Sequence, residues 1–103
     1  MSASEVMTLV RWRDRDEDAR DEDRPSEEIA RLFRSPRRAR RFVATLRANR
    51  GIYDLCAERR RLPIPRFVEI SHQPDGSRVT WGSAWIDGIG RVPMVLRVDE
   101  ARP

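Results

Sequence analysis

A chain of 103 residues suffices for one domain around one hydrophobic core and is too short for a second. Hydrophobic residues make up 39% and charged residues 37%, yet the runs Val6–Val10 and Val92–Leu96 are apolar enough to seed a core, so the chain is expected to fold as a single domain. No apolar run approaches the roughly 18 residues of a bilayer span, and the first residues are polar and acidic where a signal peptide is basic and then greasy, so a cytoplasmic protein with no membrane partner is expected.

Along the chain, Glu5 to Arg13 reads as a first strand, with Val6, Thr8, Val10 and Trp12 on one side, Met7 and Leu9 on the other, and both faces buried near its start. Asp14 to Pro25 has no apolar residue except Ala19 and a dense acidic run that repels itself, the pattern of a mobile loop. Ser26 can cap a helix whose first turn holds Glu27 and Glu28, and Ile29, Leu32 and Phe33 share a helical face as far as Arg34. Ser35 and Pro36 form a second start signal for a longer helix to about Arg50, before Gly51, with Ala39, Phe42, Val43 and Leu46 in one arc and the arginines around the other side. Ile52 to Leu62 continues as a third helical piece, Tyr53, Leu55 and Cys56 inward, and Pro63 to Pro65 end it.

Beyond this the period changes to two. Phe67–His72 and Arg78–Trp85 flank the turn signal QPDGS, and DGIG at Asp87–Gly90 leads into Val92–Val98, where Val92, Met94, Leu96 and Val98 share a face and Pro93 argues that this last strand is an edge or pairs only from Met94 onward. The expected fold is α+β: an antiparallel sheet, formed by the N-terminal strand and a C-terminal three-stranded meander, with two or three helices packed on one face. Val68, Ile70, Val79, Trp81, Met94 and Leu96 should be buried, with Phe42 and Leu46 against them. A strand, two helices and then a meander is similar to the element order of the RelE/ParE toxin superfamily, whose ribonuclease members use basic residues on the sheet. Here the arginines crowd the expected helices instead, and the acidic insertion after the first strand is outside that pattern.

Charge is the distinctive signal. Residues 1–13 carry +1, 14–28 carry −6, 29–66 carry +10 and 67–103 carry −1. Every basic residue is an arginine, a skew that a GC-rich genome also produces, so position counts for more than number. Between Glu28 and Asp54 there are eight arginines and no acid, so the helix lacks the i, i+4 partners that neutralise a solvated face. The balancing charge must come from the acidic run, from nucleic-acid phosphates or from an acidic protein surface.

The expected contact set is therefore Arg34, Arg37, Arg38, Arg40, Arg41, Arg47 and Arg50, since guanidinium forks match phosphate geometry. Asp14, Asp16, Glu17, Asp18, Asp21, Glu22 and Asp23 form the acidic contact. No cofactor, metal site or catalytic residue is expected. Cys56, beside Leu55 and Ala57, reads as a buried structural thiol, and His72 as a turn residue without a nucleophile or metal partner. Trp81 and Trp85 share a strand face and should be buried together or exposed together; strand tryptophans are more often core than a platform for bases. The leading functional expectation is a non-enzymatic binding or regulatory protein that engages nucleic acid or an acidic partner through the arginine face. A RelE/ParE-like toxin endoribonuclease and a phage-type inhibitor or immunity protein, its acidic loop set against a basic target, are the alternatives.

Overall fold

The computed structural model describes residues 4–15, 28–65 and 68–101. Along the chain lie β1 (Ser4–Asp14), β2 (Glu28–Phe33), α1 (Pro36–Arg47), β3 (Ile52–Pro63), β4 (Glu69–His72), β5 (Arg78–Ile86) and β6 (Gly90–Asp99). The strands form one six-stranded sheet in the order β3-β1-β2-β6-β5-β4, antiparallel throughout except for the β2–β6 pair. This corrects the expected α+β architecture with two or three helices: the described residues hold one helix, and the sheet is mixed. It also removes the likeness to the RelE/ParE element order, which rested on two consecutive helices after the first strand.

Two segments expected to be helical are strands, for physical reasons. Ile29, Leu32 and Phe33 fit a helical face, but a short apolar run is ambiguous in period, and here β2 pairs with β1 at six positions from Thr8↔Phe33 to Arg13↔Glu28. Leu32 and Phe33 are both buried because the sheet is covered on both faces where they lie. β3 pairs with the whole of β1, from Ser4↔Pro63 to Asp14↔Ile52, and accommodates a bulge at Asp54, whose φ of 54° is the left-handed conformation that Asp tolerates better than most residues. β2 and β3 thus flank β1, and α1 is the crossover between them.

Each face of the sheet carries a cluster. On the helix side, Val10, Trp12, Phe33 and Val95 pack against Ala39 and Leu46, with Phe42 and Val43 partly buried beside them. The opposite face gathers Met7, Leu9, Leu32, Ile86, Val92 and Met94, each at most 3% exposed. Burying such a side chain stabilises the fold by about 1.5–3 kcal/mol. At its start β1 is not covered on both faces as expected, since Val6 is exposed; double burial begins at Met7.

Several core expectations are corrected. Val68 and Ile70 are exposed, and Val79, Trp81 and Leu96 are only partly buried. A register shift in the β5–β6 pairing sets Thr80 opposite Arg97 and Trp81 opposite Val95, leaving Leu96 unpaired between them. That extra residue reverses the alternation, so Val98 joins the helix-side cluster while Val92 and Met94 stay on the other face. Cys56, expected to be buried, is exposed on the edge strand β3.

The β3–β4 connection imposes a further constraint. These strands are the two margins of the sheet. In a flat sheet they would lie about 24 Å apart, and the six backbone steps from Pro63 to Glu69 reach only about 22 Å fully extended. The sheet therefore curls, and the end of β3 and the residues to Pro65 lie over the face opposite the helix, where Leu62 packs on the core and Pro65 lies against Gly82. A Cβ at Gly82 would collide with Pro65 and crowd Leu96.

Two changes test this account. Gly82→Ala should lower stability by about 1–3 kcal/mol through overpacking against Pro65, and adding Pro65→Ala should return part of the loss, both read from urea unfolding curves. Ser35→Ala should cost about 1 kcal/mol, since the Ser35 hydroxyl accepts the Arg38 N–H at 3.3 Å as the N-cap of α1.

Candidate functional site

α1 forms where the Ser35–Pro36 start signal and the spacing of Ala39, Phe42, Val43 and Leu46 require it. Its apolar stripe faces β1, β2 and β3. The arginines between those positions do not form one continuous face; they divide along the two flanks of the helix. Arg40 and Arg47 fall on the flank toward β3 and line a groove of about 650 Å³ floored by Thr8, Ala39, Val43 and Ala57. Arg38 and Arg41 fall on the flank toward β6, beside Val98 and Glu100. Arg37 stands exposed between the two groups.

The expected contact residues differ sharply in how their charge is met. Arg34 is held by Glu5 through two hydrogen bonds, Nε to Oε2 at 2.7 Å and Nη2 to Oε1 at 2.6 Å. Arg38 lies 3.5 Å from a Glu100 carboxylate oxygen, and Arg41 lies 4.0 Å from the same oxygen. Among the described residues, Arg37, Arg40, Arg47 and Arg50 have no carboxylate partner. Of the expected acidic contacts, Asp14 ends β1 and is exposed. Asp16, Glu17, Asp18, Asp21, Glu22 and Asp23 lie outside the described residues.

Two further arginines belong to these sites and escape sequence reasoning. Arg59 of β3 lines the groove with Arg40 and Arg47, because the β1–β3 register sets it opposite Thr8 on the helix side. Glu58 borders the groove, but the register sets it opposite Leu9, so its carboxylate turns to the other face, where it accepts a hydrogen bond from Arg60 at 3.1 Å. The signal for Arg59 was the triplet Arg59–Arg61, whose meaning depends on strand periodicity, whereas a helix was expected there.

Arg31, on β2, has its guanidinium carbon 4.8 Å from the Phe42 ring centre, 5.5 Å from Trp81 and 5.9 Å from Trp12. Such cation–π contacts are favourable, more so where water is excluded. Burial lowers the Arg31 pKa from its ordinary value, and its buried Nε has no acceptor. Its place among Trp12, Phe42 and Trp81 comes from four separate elements and left no local trace in sequence. Trp81 and Trp85, expected to share one fate, do not: Trp81 is partly buried and Trp85 is 73% exposed, while Trp12 is core.

Among the described residues no group of His, Cys, Asp and Glu is arranged to hold a metal ion, and no helix is long and apolar enough to cross a membrane. Compared with known proteins, the chain matches no protein-family model, no curated protein and no solved structure.

The Glu5–Arg34 pair carries a pH signature. Hydrogen bonding from Arg34 holds the Glu5 carboxyl below its ordinary pKa. A carboxylate depressed in the fold contributes stability above its unfolded pKa, and that contribution is lost as pH falls through the lowered value. Carboxyl-carbon NMR should show Glu5 titrating below the usual glutamate range, and Arg34→Met should return its midpoint toward that range.

Proposed function

We propose that the protein is a non-catalytic binding protein for a phosphate-rich polymer, nucleic acid foremost, engaged through the groove between α1 and β3. One observation carries this reading: Arg40, Arg47 and Arg59 come from two elements onto one groove and have no carboxylate partner among the described residues, while Arg34, Arg38 and Arg41 meet Glu5 or Glu100. Three guanidinium groups around an apolar floor offer paired N–H donors in the spacing that phosphate oxygens accept, and Arg37 extends the charge along the outer face of the helix. Relative to the set expected from sequence, the site narrows to Arg37, Arg40 and Arg47 and gains Arg59.

The test is fluorescence anisotropy with labelled nucleic acid at several salt concentrations. Affinity should fall steeply with salt, because each phosphate neutralised releases condensed counterions. Replacing Arg40, Arg47 and Arg59 together by Met should lower the slope of log affinity against log salt by about 2–3 units. The fold should survive, since Arg40, Arg47 and Arg59 are all exposed. No binding by the parent at low salt would remove this reading, and an unchanged slope in the triple variant would move the contact elsewhere on the protein.

A further inference from the structure

α1 packs over β1, β2 and β3 and leaves part of the same sheet face open on β5 and β6. Cross-strand pairing puts Trp81 opposite Val95, Ser83 opposite Pro93 and Trp85 opposite Arg91 on that open part. Two cavities of about 560 and 330 Å³ adjoin there, and Arg31 and Trp81 line both. Arg91 borders the first, Arg38 and Arg41 the second. The Trp81 ring is fixed in place: its Nε1 donates to Ser71 Oγ at 2.7 Å, and Gln73 Nε2 donates to the same oxygen at 3.0 Å. Trp85, by contrast, stands 73% exposed beside Arg91.

We propose that this open face binds single-stranded nucleic acid, with bases stacking on Trp85 and against the Trp81–Arg31 wall and with phosphates taken by Arg91 and by the Arg38–Arg41 pair. The inference rests on the reading of a nucleic-acid partner but calls on a different set of side chains, so the two fail separately. Charge selects the ligand: four arginines line the two cavities, against Glu69 in one and Glu100 beside the other. Glu100, shared between Arg38 and Arg41, occupies the position an incoming phosphate would take.

Stacking selects single strands, because a duplex keeps its base faces covered while an unpaired strand offers them to aromatic rings. Trp81 and Trp85 are four residues apart on one strand, about 13 Å, a distance covered by about four nucleotides at the stacked spacing of about 3.4 Å.

The experiment titrates the full chain with an eight-nucleotide oligothymidylate and with a duplex of the same length, following tryptophan fluorescence and the anisotropy of a label on the nucleic acid. The single strand should quench the tryptophan emission. Trp85→Ala should weaken single-strand binding by about tenfold or more, with an unfolding midpoint unchanged because Trp85 is exposed. Arg91→Met should lower the salt slope by about one unit, and Glu100→Gln should tighten binding by freeing Arg38 and Arg41.

If Trp85→Ala and Arg91→Met bind the oligothymidylate as the parent does, the inference is overturned; loss of binding in the Arg40, Arg47 and Arg59 variant would then leave only the groove. Binding lost in Trp85→Ala but kept in the groove variant supports the open face and overturns the groove. A parent that neither binds nor is quenched at low salt overturns both, and leaves the exposed Trp85 to a protein partner.

Discussion

β1 has to be satisfied on four sides at once, and the other elements take their positions from that requirement. Both of its edges are hydrogen-bonded, to β2 and to β3. Both of its faces are buried, Met7 and Leu9 toward one cluster and Val10 and Trp12 toward the other. A slip of one residue in either ladder would exchange those faces, bringing Arg11 and Arg13 toward the core and Trp12 out of it. The register that β1 demands therefore also decides which side chains of β3 look toward the helix. Arg59 faces the groove because it lies opposite Thr8, and Arg60 faces away because it lies opposite Met7.

The same constraint sorts the arginines by role. α1 must cover Val10, Trp12 and Phe33 with Ala39, Phe42 and Leu46, and this fixes its rotation. Once the rotation is set, the arginines between those residues point to one flank or the other, and the charge read as a single cationic face becomes two separate sites. One flank finds carboxylate at Glu100, whereas the other meets more guanidinium at Arg59. Like charges gathered on an apolar floor are costly unless an anion joins them, which makes that flank informative about a partner.

What could be read from sequence follows the range of the interactions involved. α1 was legible because its cap, its proline and its apolar spacing are all local, and Ser35 and Pro36 sit where they were expected. The β5–β6 hairpin was legible because alternating Val, Trp and Met positions surround a turn in which Gly88 and Gly90 adopt positive φ. β2 and β3 were not. In β2, burial on both faces gives adjacent apolar residues, Leu32 and Phe33, that imitate a helical stripe. In β3, an edge position requires little inward apolar surface, so Glu58–Arg61 shows no alternation at all. Gly82 and Arg31 depend on chain segments distant in sequence, Pro65 in one case and three aromatic rings in the other, and no local pattern encodes such meetings.

The arginine triplet on β3 has a consequence for the protein in crowded solution. β3 is a twelve-residue strand at the margin of the sheet, and such a margin is a template on which a second copy can add its own strand and begin a fibre. Two β3 strands meeting antiparallel around their centres of charge would set Arg59, Arg60 and Arg61 against the same three residues of the other chain, with like charges directly across from one another. Cationic repulsion thus opposes the joining of this long edge to itself in that register, although it carries no proline between Ile52 and Leu62 to interrupt pairing. The protection is electrostatic, so it weakens with ionic strength, and a polyanion lying along the triplet would withdraw it.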